Sequence, residues 1–100
     1  MEVICINGTF SADFLLYYSK YGVKTPKEGK LYAIRDIIKH TNGQTGIRLE
    51  QIVNPKIPDN HAILGKIETE PTFNIKRFAK LNGDEITKEE ITEIIGVVAV

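Results

Sequence analysis

A hairpin constrains this chain more than any other feature. Residues 31–40 (LYAIRDIIKH) and 46–52 (GIRLEQI) flank Thr41-Asn42-Gly43-Gln44. Asn-Gly is the strongest short hairpin signal, because both residues accept positive φ in a type I′ turn. In the return strand Ile47 and Leu49 alternate with Arg48 and Glu50, giving one apolar and one charged face. The outgoing strand is less simple. Tyr32, Ile34, Asp36 and Ile38 share one face, while Leu31, Ala33, Arg35 and Ile37 share the other. Apolar residues on both faces predict a central strand covered on each side for part of its length.

Other elements gather around this pair. Val3 to Ile6 (VICI) reads as a buried first strand closed by the Asn7-Gly8 turn. Residues 11–21 read as a short helix, with Ser11 as cap, Phe14, Leu15 and Tyr18 on one face, and Gly22 just past the end. The competing reading is a long aromatic loop, since tyrosines are poor helix formers. Thr25-Pro26-Lys27-Glu28-Gly29 is turn chemistry. Pro55 and Pro58 are expected to keep residues 54–61 from regular pairing, with a short extended piece around Ile63 to Ile67. Phe73 and Ile75 resume period-two spacing, and the phase breaks at Arg77-Phe78, as a single 3₁₀ turn between two short strands requires. Near the end, Thr87 and Glu90 have capping-box spacing, and Ile86 and Ile91 the spacing of a hydrophobic staple. They predict a helix over 87–95 with Ile91, Ile94 and Ile95 buried and Gly96 closing it.

The chain has 100 residues, enough for one domain (1–100) that buries roughly two thirds of its unfolded surface. Thirteen Lys and Arg balance thirteen Asp and Glu, which excludes a generally basic nucleic-acid protein but leaves room for a local patch. A lone cysteine, Cys5, forms no internal disulfide and offers no cluster for zinc or iron–sulfur. The opening MEVICING lacks a positive region and a secretory apolar run, and no window reaches the ~20 apolar residues of a membrane span. The expectation is a soluble cytoplasmic protein with no membrane contact.

Several strands, turns about every ten residues and one 3₁₀ break before the last strand predict a small antiparallel barrel. The ordered set VICIN, EGKLYAIRDI, GIRLEQIVNP and PTFNIKRFAKL resembles a group of small bacterial and phage-encoded proteins with a Src-homology-3-like barrel. The resemblance rests on Gly29 to Arg35, Leu49 to Pro55 and Phe73 to Phe78. It spans roughly three quarters of the chain, leaving out the 9–23 insertion and the C-terminal helix. It implies a fold and a phage or mobile-element setting. It implies no activity, since the group has none assigned. Peptide-binding members of the wider superfamily use a groove tryptophan and an acidic loop. This chain has no Trp, and only Asp13 and Glu28 are acidic between residues 7 and 30, which argues against polyproline recognition.

Catalytic and metal signals are sparse. There is no Gly-rich phosphate loop, no His-x-x-x-His pair and no Cys–His pair in a recognisable context. His40 and His61 read as solvent-facing loop residues, Cys5 as a small core residue, and Glu68 and Glu70 as a solvated strand face. The expectation is a protein that is not an enzyme and has no catalytic residue, cofactor or metal.

Binding is the remaining class. FLLYYSKYG places six large apolar or aromatic residues in nine positions, more than a short helix buries on one side. Tyr17, Tyr18 and Tyr21 are therefore candidates for contact with a protein partner. The plain alternative is that they cap the open end of the barrel. Residues 20–39 hold six basic side chains against two acids. Lys24, Lys27, Lys30, Arg35 and Lys39 thus form a candidate stripe for weak nucleic-acid binding, unless they only keep turns and edges soluble. The GVVAV tail pairs within the fold or adds to a second copy, which is a route to self-association.

Overall fold

The hairpin forms, but with a different turn from the one its Asn-Gly predicts. The computed structural model describes residues 1–61 and 63–95. In chain order the elements are β1 (Glu2–Cys5), α1 (Ala12–Tyr21), β2 (Leu31–Lys39), β3 (Thr45–Leu49) and β4 (Ile57–His61). They continue with β5 (Gly65–Thr69), β6 (Phe73–Asn74), a 3₁₀ turn (Ile75–Arg77), β7 (Phe78–Ala79) and α2 (Lys88–Ile95). At the β2–β3 turn Gly43 alone has positive φ (85°), and no non-glycine residue does. The Gly43 N–H donates to His40 C=O at 3.0 Å and the His40 N–H to Gln44 C=O at 2.9 Å. That is a three-residue loop in which a tight turn is followed by a left-handed glycine. Asn42 instead uses its side chain, which accepts the Gln44 N–H at 3.0 Å.

Five strands form one antiparallel sheet in the order β6-β3-β2-β1-β7, and β4 pairs with β5 as a separate hairpin. β6 and β7 are consecutive in the chain, joined by the 3₁₀ turn, yet they stand at opposite edges of the ladder. Each has two residues, and each spends them on its inner neighbour, β6 on β3 and β7 on β1. The sheet is therefore open where a closed barrel was expected. The 3₁₀ break itself lies where the phase of the sequence changes.

A bulge explains the apolar residues on both faces of β2. The register with β3 shifts between Ile34 and Asp36. One extra residue flips the side-chain phase, so Tyr32, Ile34 and Ile37 all reach the same core. The strand is thus not covered on two sides. β1 also alternates: Val3 and Cys5 are buried, whereas Ile6 is half exposed. The expected irregular stretch around Pro58 is instead β4. Pro58 stands opposite Glu68 in the hairpin, and its carbonyl accepts from Tyr17 Oη. Backbone N and C=O of one strand residue point the same way, so the position lacking an N–H faces away from β5. Ile63 and Leu64 lie in the connecting turn, not in the strand.

α2 is built by its capping box. The Glu90 N–H donates to Thr87 Oγ1 at 3.3 Å and the Thr87 N–H to Glu90 Oε1 at 3.1 Å. Those Thr87 hydrogen bonds hold the Glu90 carboxyl below its usual value. Ile86 and Ile91, the staple pair, are both buried. Eight residues are too few for a stable isolated helix, so this docking sustains it. The side chains of Ile94 and Ile95, residue Gly96 and the 96–100 tail lie outside the described residues, as does the His61 side chain.

Gly46 on β3 is required by close packing. A Cβ there would lie 2.2 Å from Thr72 Oγ1 and 2.8 Å from His40 Nε2. Gly46→Ala is expected to destabilise the protein by about 1–3 kcal/mol through overpacking, read from the urea-unfolding midpoint.

Candidate functional site

Helix α1 carries the densest group of large side chains, and both of its ends are fixed by local chemistry. Ser11 Oγ accepts the Phe14 N–H at 3.2 Å. At the other end Gly22 is left-handed (φ 72°), its N–H donates to Ser19 C=O, and the Val23 N–H donates to Tyr18 C=O. This paired arrangement closes the helix and brings Val23 against the core beside Tyr18. The helix is inserted between β1 and β2.

The three candidate tyrosines divide between core and surface. Tyr18 is 5% exposed and meets Phe73 edge-on at 6.5 Å. Burial, with the neighbouring Tyr17 adding to it, pushes its phenol up to about 12. Tyr18 is a core residue. Tyr21 is half buried, with its ring 5.2 Å from that of Tyr17. Tyr17 is exposed, and its hydroxyl donates to Pro58 C=O at 3.3 Å across to β4. Between α1 and that hairpin runs a groove of about 240 Å³ that includes Phe14, Tyr17, Pro58 and Asp59. Leu15 and Leu16, absent from the candidate residues, also face outward, and Leu16 is 73% exposed. The helical wheel contains this signal: with Tyr18 and Tyr21 at i and i+3 turned inward, Leu16 falls opposite.

Glu70 is not a solvated residue. Its carboxylate receives the Arg35 guanidinium and, at 3.1 Å, the Asn54 N–H. Its backbone carbonyl accepts two N–H groups of Arg48, at 2.9 and 3.2 Å. Burial alone would raise the Glu70 pKa. The Arg35 and Asn54 hydrogen bonds and the charges of Arg35 and Arg48 outweigh it, so the carboxyl is held below its usual value. Asn54, itself buried, passes the connection on. Its Oδ1 accepts the Lys24 N–H at 2.8 Å, and its Nδ2 donates to Lys24 C=O at 2.9 Å.

This network divides the basic stripe. Arg35 is committed to Glu70, Asp36 and the Leu49 carbonyl. Lys39 stands at the far end of β2, roughly 25–30 Å along the strand from Lys30. Lys24, Lys27 and Lys30 come together, lining a groove of about 540 Å³ with Gln51 and Ile52.

The remaining candidates have structural partners. His40 is half buried and bonded to Thr72 Oγ1 at 2.9 Å, not turned to solvent. Cys5 is buried, and that burial pushes its thiol pKa up, which disfavours a reactive thiolate. Among the described residues no three His, Cys, Asp or Glu side chains converge as metal ligands, and no helix is long and apolar enough to cross a membrane. Compared with protein-family models, curated proteins and solved structures, the chain matches none.

The Glu70 network has a pH signature. Its folded-state pKa lies below the unfolded value of about 4.3, so its stabilisation is complete above that value and is lost as pH falls through the folded pKa. Glu70→Gln is expected to cost about 1–3 kcal/mol at neutral pH, since it leaves the Arg35 charge without its partner. The gap from wild type should close as the pH is lowered through the folded pKa. Urea titrations of both proteins across the acid range test this.

Proposed function

We propose that this chain is a non-catalytic binding or accessory protein that presents α1 to a protein partner, in the phage or mobile-element setting its resemblance implies. The observation that supports the reading most is the run Phe14, Leu15, Leu16 and Tyr17, which are 41%, 44%, 73% and 42% exposed. Single exposed apolar residues are ordinary, but four on one ten-residue helix, their side chains about 100° apart in turn, put apolar surface on its solvent face and on both flanks, of the kind that interfaces use. The helix is also held rigidly beneath that face by Tyr18 in the core and by the caps at Ser11 and Gly22. A rigid apolar face loses little entropy on docking. Tyr17 and Tyr21 join the contact, and Tyr18 supports it from below.

The same reading takes the scaffold to be a Src-homology-3-like roll. In its favour are the strand order β6-β3-β2-β1-β7 and the 3₁₀ turn that links the two outer strands. The helical insertion then sits on the long connection between the first two strands of the sheet.

The variant Leu16→Glu/Tyr17→Ser alters two exposed side chains and gives up one surface hydrogen bond, from Tyr17 Oη to Pro58 C=O. It is expected to keep the wild-type unfolding midpoint within about 1 kcal/mol. It should lose the protein recovered by the tagged wild type from lysate of its own organism after nuclease treatment. Recovery of the same partner at the same yield by the variant would remove α1 from the interface.

A further inference from the structure

The groove beneath residues 23–30 is lined by three lysines, the hydroxyls of Thr25 and Tyr32, and Gln51, Val23 and Ile52. Lys24, Lys27 and Lys30 enter it from one extended turn, with Gln51 and Ile52 opposite, and no acidic residue lines it. Three cations elsewhere are neutralised by acids: Arg35 by Glu70 and Asp36, Arg48 by Asp36, Lys80 by Glu90. None of the three groove lysines makes an ion pair among the described residues. The neighbouring Glu28 directs a carboxylate oxygen towards the Gly8 N–H instead.

Backbone groups around the groove are already engaged. Both polar groups of Lys24 are taken by Asn54, the Lys27 N–H by Tyr32 Oη, and the Lys30 N–H by the Lys27 carbonyl. The Ala33 N–H is taken by Gln51 Oε1, which leaves the Gln51 amide nitrogen as a donor. An extended peptide therefore finds no strand edge to pair with here. What the groove offers is three ammonium groups, one amide donor and the apolar surface of Ile52. Its complement is a chain of acceptors with regularly placed negative charge.

We propose that this groove binds the phosphodiester backbone of single-stranded nucleic acid through Lys24, Lys27 and Lys30, with Gln51 as a further donor and without base selectivity. Lysines act as point charges that tolerate any strand sequence, since phosphate contacts position a strand but carry no base information. The three lysines stand three residues apart on one short turn, a compact array that a flexible single strand can follow more closely than a stiff duplex. The site does not use α1, so it stands or falls independently of the partner-binding face.

The test is fluorescence anisotropy of the full chain with labelled oligothymidylate. Three phosphate contacts predict a log–log salt slope of roughly −2, hence binding about twenty-fold weaker at about 200 mM salt than at about 50 mM. Lys24→Glu/Lys27→Glu/Lys30→Glu should weaken binding by at least about ten-fold at low salt. Lys56→Glu/Lys66→Glu/Lys76→Glu changes the net charge equally at exposed positions outside the groove and should retain most of it. If the reversed groove variant fails to fold by circular dichroism, Lys27→Gln serves instead and should reduce the slope by about 0.7. Absence of binding at low salt, an affinity indifferent to salt, or equal loss in the control variant overturns the site. Polyglutamate competing as well as the oligonucleotide overturns the nucleic-acid assignment in favour of an acidic polypeptide, and equal affinity for duplex overturns the single-strand assignment.

Discussion

Three parts of the chain meet at Glu70, and their mutual placement depends on satisfying its carboxylate. The β4–β5 hairpin shares no ladder with the five-stranded sheet. It is joined to the sheet by Ile57 in the core and by the polar group that follows β5: Arg35 from β2, Arg48 from β3 and the Asn54 N–H all bond to Glu70. A partly buried carboxylate is unfavourable by itself. Here the lowered pKa means that its partners more than compensate for the lost water. A network of this kind fixes geometry more than it adds stability, because apolar replacements of similar volume are often neutral. What it secures is a single position for the hairpin, and through Asn54 for the turn that carries Lys24.

The bulge in β2 makes that network reachable. Without it, Arg35 and Ile37 would share one face and Tyr32 and Ile34 the other, so the three apolar residues could not meet in one core. The register shift between Ile34 and Asp36 places the Arg35 guanidinium at the sheet margin, where it reaches Leu49 C=O and Glu70. The same residue added to the pleat accounts for Tyr32 and Ile37 sharing a core despite their odd separation. A local backbone irregularity thus serves packing and electrostatics together.

Much of this was legible in the residues, and the misses have identifiable causes. Local chemistry acting within a few residues was readable: the caps of α1 at Ser11 and Gly22, the Thr87–Glu90 box and the 3₁₀ break before Phe78. The turn at Asn42-Gly43 was readable as a hairpin but not as a type, because flanking register decides whether one or two residues take positive φ. β4 was missed because a proline excludes pairing only on the side where its N–H would be needed, and that side depends on the partner strand. Glu70 and His40 were assigned to solvent because their partners, Arg35 and Thr72, lie more than thirty residues away. The three tyrosines stand together in the sequence, but their division into core and surface follows from the direction in which α1 docks.

Charge is the point at which sequence sums mislead most. A net charge of zero suggests a neutral surface, yet ligands meet unpaired charges rather than totals. In this fold Asp36, Glu70 and Glu90 lie against Arg35, Arg48 and Lys80, so each cancels a particular cation. Mutual screening within such pairs leaves little field outside them. Of the cations left without an acid partner among the described residues, Lys20, Lys39, Lys56, Lys66, Lys76 and Arg77 lie outside the groove, while three share it. Lys24, Lys27 and Lys30 remain together because the turn that bears them is pinned by Asn54 and the Tyr32 hydroxyl, with Pro26 fully buried between them. An acid folded into that turn, Glu28, is drawn off towards Gly8. The protein therefore keeps three unpaired cations side by side in one groove while its total charge stays balanced.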